Sequence, residues 1–308
     1  MTIHPVIDGP TDPSPVWQEK ALRLRRLHEG PDVLVLPNAW DRLSARLLAR
    51  LPDCRALAST SAGVAAALGY PDGERAPLDA LLAVVRLIVA AVDLPVTVDF
   101  EAGYAETPAQ LAENVRHVVA VGAVGINLED GIGDGAAHGT LRDPAEQAAR
   151  LDAARDALQV GGVPGVLNAR TDVLMQQHGA PESWLPEVVR RCQLYAAHGA
   201  DCVFVPGLPM HGQSPEEARR DIALLVREAG RPVNLLASSL TPPVAVLHEL
   251  GVRRLSTGSG LFRLAYATAR EAAAQILSTG DSTVLTGADA LPHPKVNQNL
   301  SATDDSRR

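Results

Sequence analysis

The sequence predicts an α/β protein of the (β/α)8 TIM-barrel class, a single domain with an N-terminal helix and a C-terminal extension. Eight short apolar segments alternate with longer stretches of helical pattern along the 308 residues. The segments are apolar on both faces, which is typical of parallel strands covered by helices. No Gly-x-Gly-x-x-Gly motif follows the first segment, which disfavours the alternative of an open, dinucleotide-binding sheet. Eight successive β–α units therefore favour a closed barrel.

The predicted strands recur in chain order between the helical stretches. They are Val33–Leu36, Ala56–Ser59, Val96–Phe100, Val124–Leu128, Gly165–Ala169, Cys202–Val205, Val233–Leu236 and Arg254–Thr257. Before the first strand, residues 17–28 have the spacing of a short amphipathic helix. The alternation stops near residue 279. We therefore divide the chain into an N-terminal arm and helix (1–30), a catalytic barrel (31–278) and a C-terminal extension (279–308).

Capping signals mark where several helices begin and end. Thr107 precedes a proline, as an N-cap residue precedes a first-turn proline. Asp143 and Ser214 are also followed by proline, and each has a glutamate three residues later, which is the spacing of a capping box. Thr241 is expected to begin a further helix in the same way, with Gly251 at its C-terminal cap.

The composition is typical of a globular protein and not of a nucleic-acid-binding, membrane or disulfide-rich one. The 28 Lys and Arg residues are outnumbered by 36 Asp and Glu residues, and the formal charge of −8 disfavours nonspecific binding to nucleic acid. The chain is 46% hydrophobic and therefore globular. We expect no signal peptide, because the first residues lack a basic region followed by an apolar run. We expect no membrane segment, because no run of about 18 apolar residues occurs. The three cysteines form no Cys-x-x-Cys pair, which disfavours a zinc site or disulfides and favours a cytoplasmic protein.

Acidic side chains follow two neighbouring predicted strands. Asp99 and Glu101 end the third strand and, two residues apart, point the same way, while Glu129 and Asp130 end the fourth. Active sites of these barrels lie at the C-terminal ends of the strands, so up to four carboxylates converge there. Carboxylates this close together raise one another's pKa values or bind a cation. A site with oxygen ligands and no Cys or paired His suits Mg²⁺ or Mn²⁺. The alternative is that one or two acids only cap helices.

Two further groups at the strand ends suit an anionic substrate. Arg170 ends the fifth strand, where a guanidinium can bind a carboxylate or phosphate at two points. The alternative is an ion pair with Asp172 or with a barrel acid. The segment from Ser59 to Ser61 offers hydroxyl and backbone N–H groups at a helix start, although plain capping explains it equally well.

Six segments, in this order and spacing, resemble the isocitrate lyase/phosphoenolpyruvate mutase superfamily. They are PNAWD (37–41), STSAGVAAALGYPDGE (59–74), PVTVDFEAGY (95–104), GAVGINLEDG (122–131), NARTD (168–172) and GADCVFVPG (199–207). The resemblance implies a Mg²⁺-dependent barrel that acts on small 2-oxo or 2-hydroxy carboxylates through a metal-bound enolate. It also implies a homo-oligomer, either a dimer or a tetramer.

The same resemblance implies roles for particular residues. It suggests Asp99, Glu101 and Glu129 for the metal site, Asp72 for an acid near the metal, Arg170 for the substrate-binding arginine, and the backbone of Thr60, Ser61 and Ala62 for the grip on the substrate carboxylate. Asp72 is interpreted as tuning a metal-bound water or assisting proton transfer. Glu101 stands where the mutases have aspartate, and its extra methylene changes the reach of the carboxylate.

The loop after the fourth strand departs from the family pattern. Isocitrate and methylisocitrate lyases have a Lys-Lys/Arg-Cys-Gly-His motif there, and the mutases have a lysine and an asparagine. The segment 131–142 has no cysteine, lysine or asparagine, although its glycines are typical of a lid. His138 and Arg142 are its chemically able groups, and His138 is the candidate for proton transfer. The alternative for His138 is a solvated loop histidine.

The leading hypothesis is a Mg²⁺-dependent lyase that cleaves a C–C bond in a small carboxylate. One alternative keeps the site and changes the chemistry, to phosphonopyruvate or oxaloacetate hydrolysis or to C–P mutase activity. The other alternative is a catalytically inactive barrel that binds a metabolite, suggested by the departures in the loop.

Overall fold

A parallel sheet lies at the centre of the computed structural model, which describes residues 15–132, 140–286 and 290–301. Within these residues the strands are, in chain order, β1 (Leu34–Leu36), β2 (Asn38–Ala39), β3 (Leu57–Ser59), β4 (Val96–Asp99), β5 (Gly125–Glu129), β6 (Gly131–Ile132), β7 (Thr140–Leu141), β8 (Gln159–Val160), β9 (Val163–Pro164), β10 (Val166–Arg170), β11 (Cys202–Val205), β12 (Val233–Leu236) and β13 (Arg254–Ser256).

Nine of the described strands close into a barrel. Their order is β1-β13-β12-β11-β10-β5-β4-β3-β2, and all neighbours are parallel. Only Pro37 separates β1 from β2, and proline has no N–H for the ladder. Since β1 pairs with β13 and β2 pairs with β3, the two are halves of one strand. The sheet thus closes with eight strand positions, which confirms the predicted barrel class.

The predicted strands are all present, with small shifts at their ends. β5 and β10 lie one residue further along the chain than predicted. Glu129 and Arg170 are therefore the last residues of adjacent strands, in direct register with each other. Phe100 was predicted to end the third strand, but β4 ends at Asp99 because the chain turns at Glu101, where φ is 49°.

The helices cover the outside of the barrel, and most of them follow a barrel strand. They are α1 (Pro15–Glu29), α2 (Arg42–Ala49), α3 (Ser61–Ala67), α4 (Leu78–Val89), α5 (Pro108–Ala120), α6 (Pro144–Leu158), α7 (Pro181–Ala197), α8 (Pro215–Glu228), α9 (Val244–Glu249), α10 (Gly260–Thr279) and α11 (His293–Ser301). Thr107 and Ser214 cap α5 and α8 with the reciprocal bonds of a capping box. Asp143 caps α6 by accepting two backbone N–H groups.

One predicted helix start is wrong. α9 begins at Val244 rather than after Thr241. The Thr241 hydroxyl accepts the Ser238 N–H at 2.9 Å and donates to the Leu236 carbonyl at 3.1 Å, which holds the segment in a turn. Gly251 follows the end of α9 with φ 86°, as the C-terminal cap prediction requires.

The N-terminal helix closes the bottom of the barrel. Trp17 and Leu24 of α1 are buried against Leu34, Leu36 and other residues at the N-terminal ends of the strands. The Trp17 indole donates to the Ala123 carbonyl at 2.8 Å. Burying one large apolar side chain contributes about 1.5–3 kcal/mol, so this helix is a substantial part of the fold. The predicted helix over 17–28 is confirmed and extends to Pro15–Glu29.

His28, on the same helix, is expected to make stability depend on pH. Its Nδ1 lies 2.8 Å from the Leu24 carbonyl and its Nε2 lies 3.4 Å from Arg254 Nη1. Burial and the neighbouring Arg254 lower the pKa of His28 from 6.5 to about 4. The unfolded chain therefore binds a proton more readily, so stability is full above pH 6.5 and falls towards pH 4. The expected loss is about 3 kcal/mol in the free energy of unfolding.

Urea unfolding of the His28→Gln variant between pH 7 and pH 4 tests this expectation. The variant should lose less stability than the wild type over that range, whereas His211→Gln, at an exposed histidine, should keep the wild-type pH dependence. An unchanged pH dependence in His28→Gln would contradict the assignment.

The C-terminal extension contains a helix that the sequence pattern did not predict. α11 packs on α2, where Arg46 Nη1 donates to the Asn299 carbonyl at 2.6 Å and Arg50 Nη1 donates to the Asn299 side chain. This docking is polar, so the sequence has no apolar periodicity to reveal it. The division of the chain into arm, barrel and extension stays a prediction.

α10 presents apolar side chains to the outside. None of its 20 residues is buried, and Leu264, Tyr266 and Leu277 are 63%, 57% and 88% exposed. The predicted homo-oligomer stays a prediction. In the part of the chain that the structure describes, no helix has the length and apolar character needed to cross a membrane.

Candidate active site

The C-terminal ends of the barrel strands bring most of the predicted site residues together. Asp99 ends β4, Glu129 ends β5 and Arg170 ends β10, and these three strands are successive neighbours in the sheet. Thr60 and Ser61 follow the end of β3, on the other side of β4. The strand register therefore places acids, a guanidinium and a helix start around one opening of the barrel.

Arg170 is held between two carboxylates. Its Nη1 lies 2.8 Å from Glu129 Oε2 and its Nε lies 2.7 Å from Asp172 Oδ1. The aromatic ring of Phe204 lies 5.8 Å from the guanidinium carbon. Burial by itself lowers the pKa of Arg170, but Asp172, Glu129 and Asp99 outweigh it and raise the pKa. The guanidinium is thus permanently charged and oriented, and both ion pairs that the sequence left open are present.

The two carboxylates that hold Arg170 are themselves poorly solvated. Burial raises the pKa of Glu129 well above its ordinary value. The Arg170 guanidinium opposes this rise, whereas Asp172, Asp99 and Glu101 add to it. Burial also raises the pKa of Asp172, with Asp130 and Asp99 adding and Arg170 opposing. Burial and repulsion between acids thus favour the protonated carboxyl groups, and Arg170 opposes both effects.

Asp99 is bonded to the segment that was predicted to grip a carboxylate. The Ser61 N–H and hydroxyl both donate to Asp99 Oδ2, at 3.0 and 2.9 Å. The Thr60 N–H donates to the Ala39 carbonyl at 3.1 Å, and the Thr60 hydroxyl caps α3 through Gly63. Two of the three backbone N–H groups predicted to bind the substrate carboxylate thus have partners within the protein. The N–H of the half-buried Ala62 is the remaining candidate.

Glu101 faces a turn of the chain. Its Oε2 accepts the N–H groups of Gly73 and Glu74 at 3.0 and 2.7 Å, and its Oε1 accepts the Tyr104 hydroxyl at 2.7 Å. The Glu101 residue is 4% exposed. Burial raises its pKa to about 7; repulsion from Asp72 and Asp99 adds to this rise, and the hydrogen bond from Tyr104 opposes it. Neither Glu74 nor Tyr104 was predicted as a site residue, because their contacts depend on side-chain geometry and not on strand position.

Asp72 lies on the exposed turn above the barrel opening. Its pKa is raised by partial burial and by Asp99, while Gly73, Arg170 and Ser61 oppose the rise. Asp72 and Asp99 are therefore neighbours, and the role of Asp72 near a metal stays a prediction. His138, by contrast, falls outside the described residues, and its proposed proton transfer stays a prediction.

Asp130 does not join the acid cluster, although the sequence placed it there. It is fully buried on the other side of its strand, since successive residues of a strand point to opposite faces. Its carboxylate accepts from the Thr171 hydroxyl at 2.8 Å, the Asp172 N–H at 2.8 Å, the Arg191 guanidinium at 3.0 Å and the Tyr195 hydroxyl at 2.6 Å. Asp130 is therefore a structural anchor beneath the site.

The acids fit a hard divalent cation that keeps much of its water. No three Asp, Glu, His or Cys side chains of the described residues are grouped closely enough to form a cage of direct ligands. Asp99 is nevertheless a neighbour of both Asp72 and Glu129, and burial together with repulsion from Asp99 raises the pKa of each. Oxygen donors and few direct ligands suit Mg²⁺ rather than a structural zinc ion.

The loop that departs from the family pattern begins and ends in a short antiparallel pair. β6 and β7 pair Gly131 with Leu141 and Ile132 with Thr140. A Cβ atom on Gly131 would lie 2.7 Å from Asp172 Oδ2 and from Gln176 Nε2, so a larger residue would displace one or both side chains. Arg142 pairs with Glu146 at 2.7 Å and lines a polar cavity of about 760 Å³, together with Glu74, Tyr104, Ala105, Glu106, Gln110 and Asn114.

Comparisons with known proteins agree with this architecture. A family model described as phosphoenolpyruvate phosphomutase matches residues 24–277. An uncharacterised protein of Mycobacterium tuberculosis is 37% identical over 249 residues, which are 78% of this chain and 85% of that protein. Among solved structures, a candidate phosphonomutase from Burkholderia cenocepacia J2315 is 41% identical with a TM-score of 0.76, covering 83% of this chain and 100% of that chain.

A characterised activity is named for another similar structure. A 2,3-dimethylmalate lyase, described as a member of the phosphoenolpyruvate mutase/isocitrate lyase superfamily, is 27% identical with a TM-score of 0.74. The match covers 92% of this chain and 94% of that one. The similarity thus extends over the barrel and the strand ends that carry the candidate site.

Proposed function

Because this chain belongs to the phosphoenolpyruvate phosphomutase family, we propose that it is a divalent-cation-dependent lyase that cleaves a C–C bond in a small 2-oxo or 2-hydroxy carboxylate. The observation that carries the proposal is the position of Arg170. Its guanidinium is fixed by Glu129 and Asp172 at the barrel opening, within electrostatic reach of Asp99 and Asp72. A fixed cation beside an acid cluster suits a small anionic substrate that binds together with a metal ion.

Each described residue at the opening has a separate task in this proposal. Arg170 and the Ala62 N–H bind and orient the substrate carboxylate. Asp99 and Glu129, directly or through water, would hold Mg²⁺ or Mn²⁺, which when bound supplies positive charge where an enolate oxygen develops. Asp72 would hold or move a proton at its carboxyl group, a role that its raised pKa supports.

Calorimetric titration with oxalate, with and without Mg²⁺, tests the proposal before the substrate is known. Oxalate has the planar shape and charge of a pyruvate enolate, so we expect micromolar binding that requires Mg²⁺. The Glu129→Gln variant should lose this binding, whereas Glu113→Gln, at an exposed position on α5, should retain it. Wild-type protein that binds no oxalate in either condition would contradict the proposal and favour the inactive barrel.

A second candidate is C–P bond chemistry on the same site, as hydrolase or mutase. The similarity to the Burkholderia phosphonomutase candidate, at 41% identity, favours it over unrelated reactions. Product analysis separates the two candidates, because phosphonopyruvate releases phosphate on hydrolysis whereas a 2-hydroxy acid releases a 2-oxo acid on C–C cleavage.

A further inference from the structure

The turn that carries Asp72 is tied to the barrel by three side chains, which we call the clamp: Glu74, Glu101 and Tyr104. The Glu101 carboxylate accepts the backbone N–H groups of Gly73 and Glu74 and the Tyr104 hydroxyl. The Glu74 carboxylate in turn accepts the Tyr104 backbone N–H at 2.6 Å. The turn over 70–74 and the turn over 101–104 are therefore bonded to each other in both directions.

The clamp coincides with backbone strain. Glu74, Glu101 and Tyr104 have φ values of 59°, 49° and 54°, and they are three of the four described non-glycine residues with positive φ. Side chains other than glycine adopt this left-handed conformation at a cost and keep it only where surrounding contacts determine it. The bonds of the clamp are the contacts that determine it here.

The far side of the clamp rests on the barrel wall. The Asn114 side chain of α5 donates to the carbonyls of Gly103 and Tyr104 at 3.0 and 2.8 Å. The Tyr104 ring lies 5.8 Å from the buried ring of Phe100. By contrast, the turn that carries Asp72 is exposed, and Tyr70 at its start is 40% exposed. Packing and the Asn114 bonds therefore hold the 101–104 turn in place. The hydrogen bonds of the clamp in turn fix the turn that carries Asp72 to it.

We propose that Glu74 and Tyr104 are positioning residues, which together with Glu101 hold the Asp72 turn over the barrel opening. The extra methylene of Glu101, relative to the aspartate of the mutases, lets its carboxylate reach the Gly73 and Glu74 N–H groups. Glu101 thus acts on the turn instead of contributing free oxygens to a cation. The part of this inference that concerns ligand binding rests on the proposed function.

A pair of substitutions at Glu74 separates a positioning role from a charge role. Glu74→Gln keeps an oxygen that can accept the Tyr104 N–H, whereas Glu74→Ala removes the acceptor. Tyr104→Phe keeps the ring and removes the hydroxyl that donates to Glu101. Amide hydrogen exchange of Gly73 and Glu74, in the full chain without ligand, reports on the turn, and calorimetry with oxalate and Mg²⁺ reports on the opening.

We expect Glu74→Ala and Tyr104→Phe to speed exchange of these amides, and to weaken oxalate binding, by about tenfold each. Glu74→Gln and the exposed control Tyr266→Phe should match the wild type in both measurements. Glu74→Gln impaired as strongly as Glu74→Ala, or unchanged exchange in Glu74→Ala and Tyr104→Phe, would overturn the proposal. If the wild type binds no oxalate, the proposed function fails, while the exchange measurement still decides whether the clamp holds the turn.

Discussion

Replacing Arg170 by lysine is expected to weaken Mg²⁺-dependent oxalate binding by about 100-fold, although lysine keeps the positive charge. The guanidinium reaches Glu129 through Nη1 and Asp172 through Nε, at 2.8 and 2.7 Å. An ammonium is a single point and has no planar fork, so it cannot bridge both carboxylates and present a further edge to a substrate. The substitution leaves one poorly solvated carboxylate unpaired and turns the remaining charge away from the opening.

Calorimetry on Arg170→Lys and on a matched control measures this effect. Arg190→Lys is the control, because Arg190 is 55% exposed and pairs with Glu187 on the surface of α7. Thermal unfolding of both variants shows whether the barrel is intact. Wild-type oxalate affinity in a folded Arg170→Lys protein would show that the two-carboxylate geometry does not matter for binding.

The barrel was predictable because its signal is local and repeated. Each strand is a short segment that is apolar on both faces, and each β–α unit contributes the same pattern, so an error at one strand does not change the fold class. The tail was not predictable in the same way. α11 docks through Asn299 on Arg46 and Arg50, and a polar contact between distant segments leaves no periodicity in the sequence.

The candidate site was predictable where strand ends determine it. Asp99, Glu129 and Arg170 meet because adjacent parallel strands end at the same edge, which follows from chain order alone. Side-chain orientation did not follow: Asp130 comes directly after Glu129, yet it points into the protein. The links from Glu101 to Glu74 and Tyr104 depend on left-handed turns in non-glycine residues, which no residue-type rule reveals.

Replacing Asp130 by alanine is expected to lower the free energy of unfolding by about 3–5 kcal/mol, the largest stability effect of any single substitution considered. The carboxylate is fully buried and accepts from four groups on two segments: Thr171 and the backbone of Asp172 after β10, and Arg191 and Tyr195 on α7. Alanine leaves a buried guanidinium, two hydroxyl groups and one N–H to find new acceptors. Typical stabilities are about 5–15 kcal/mol, so a loss of this size is a large share of the free energy of unfolding.

Urea unfolding at neutral pH separates the charge of Asp130 from its shape. Asp130→Asn preserves the volume but turns one acceptor oxygen into an amide N–H₂. In either orientation that amide faces a group that can only donate, the Asp172 N–H or the Arg191 guanidinium, so the variant should lose most of what alanine loses. Tyr195→Phe removes the 2.6 Å bond to Asp130 and the 3.3 Å bond that the hydroxyl accepts from Arg191, and it should lose about 1–2 kcal/mol. Asp53→Ala, at an exposed aspartate, should change little. A stable Asp130→Asn protein would mean that shape rather than charge holds Arg191 and Tyr195. Asp130 also accepts the Asp172 N–H, and the Asp172 carboxylate pairs with Arg170. Loss of Asp130 should therefore also disturb the orientation of Arg170.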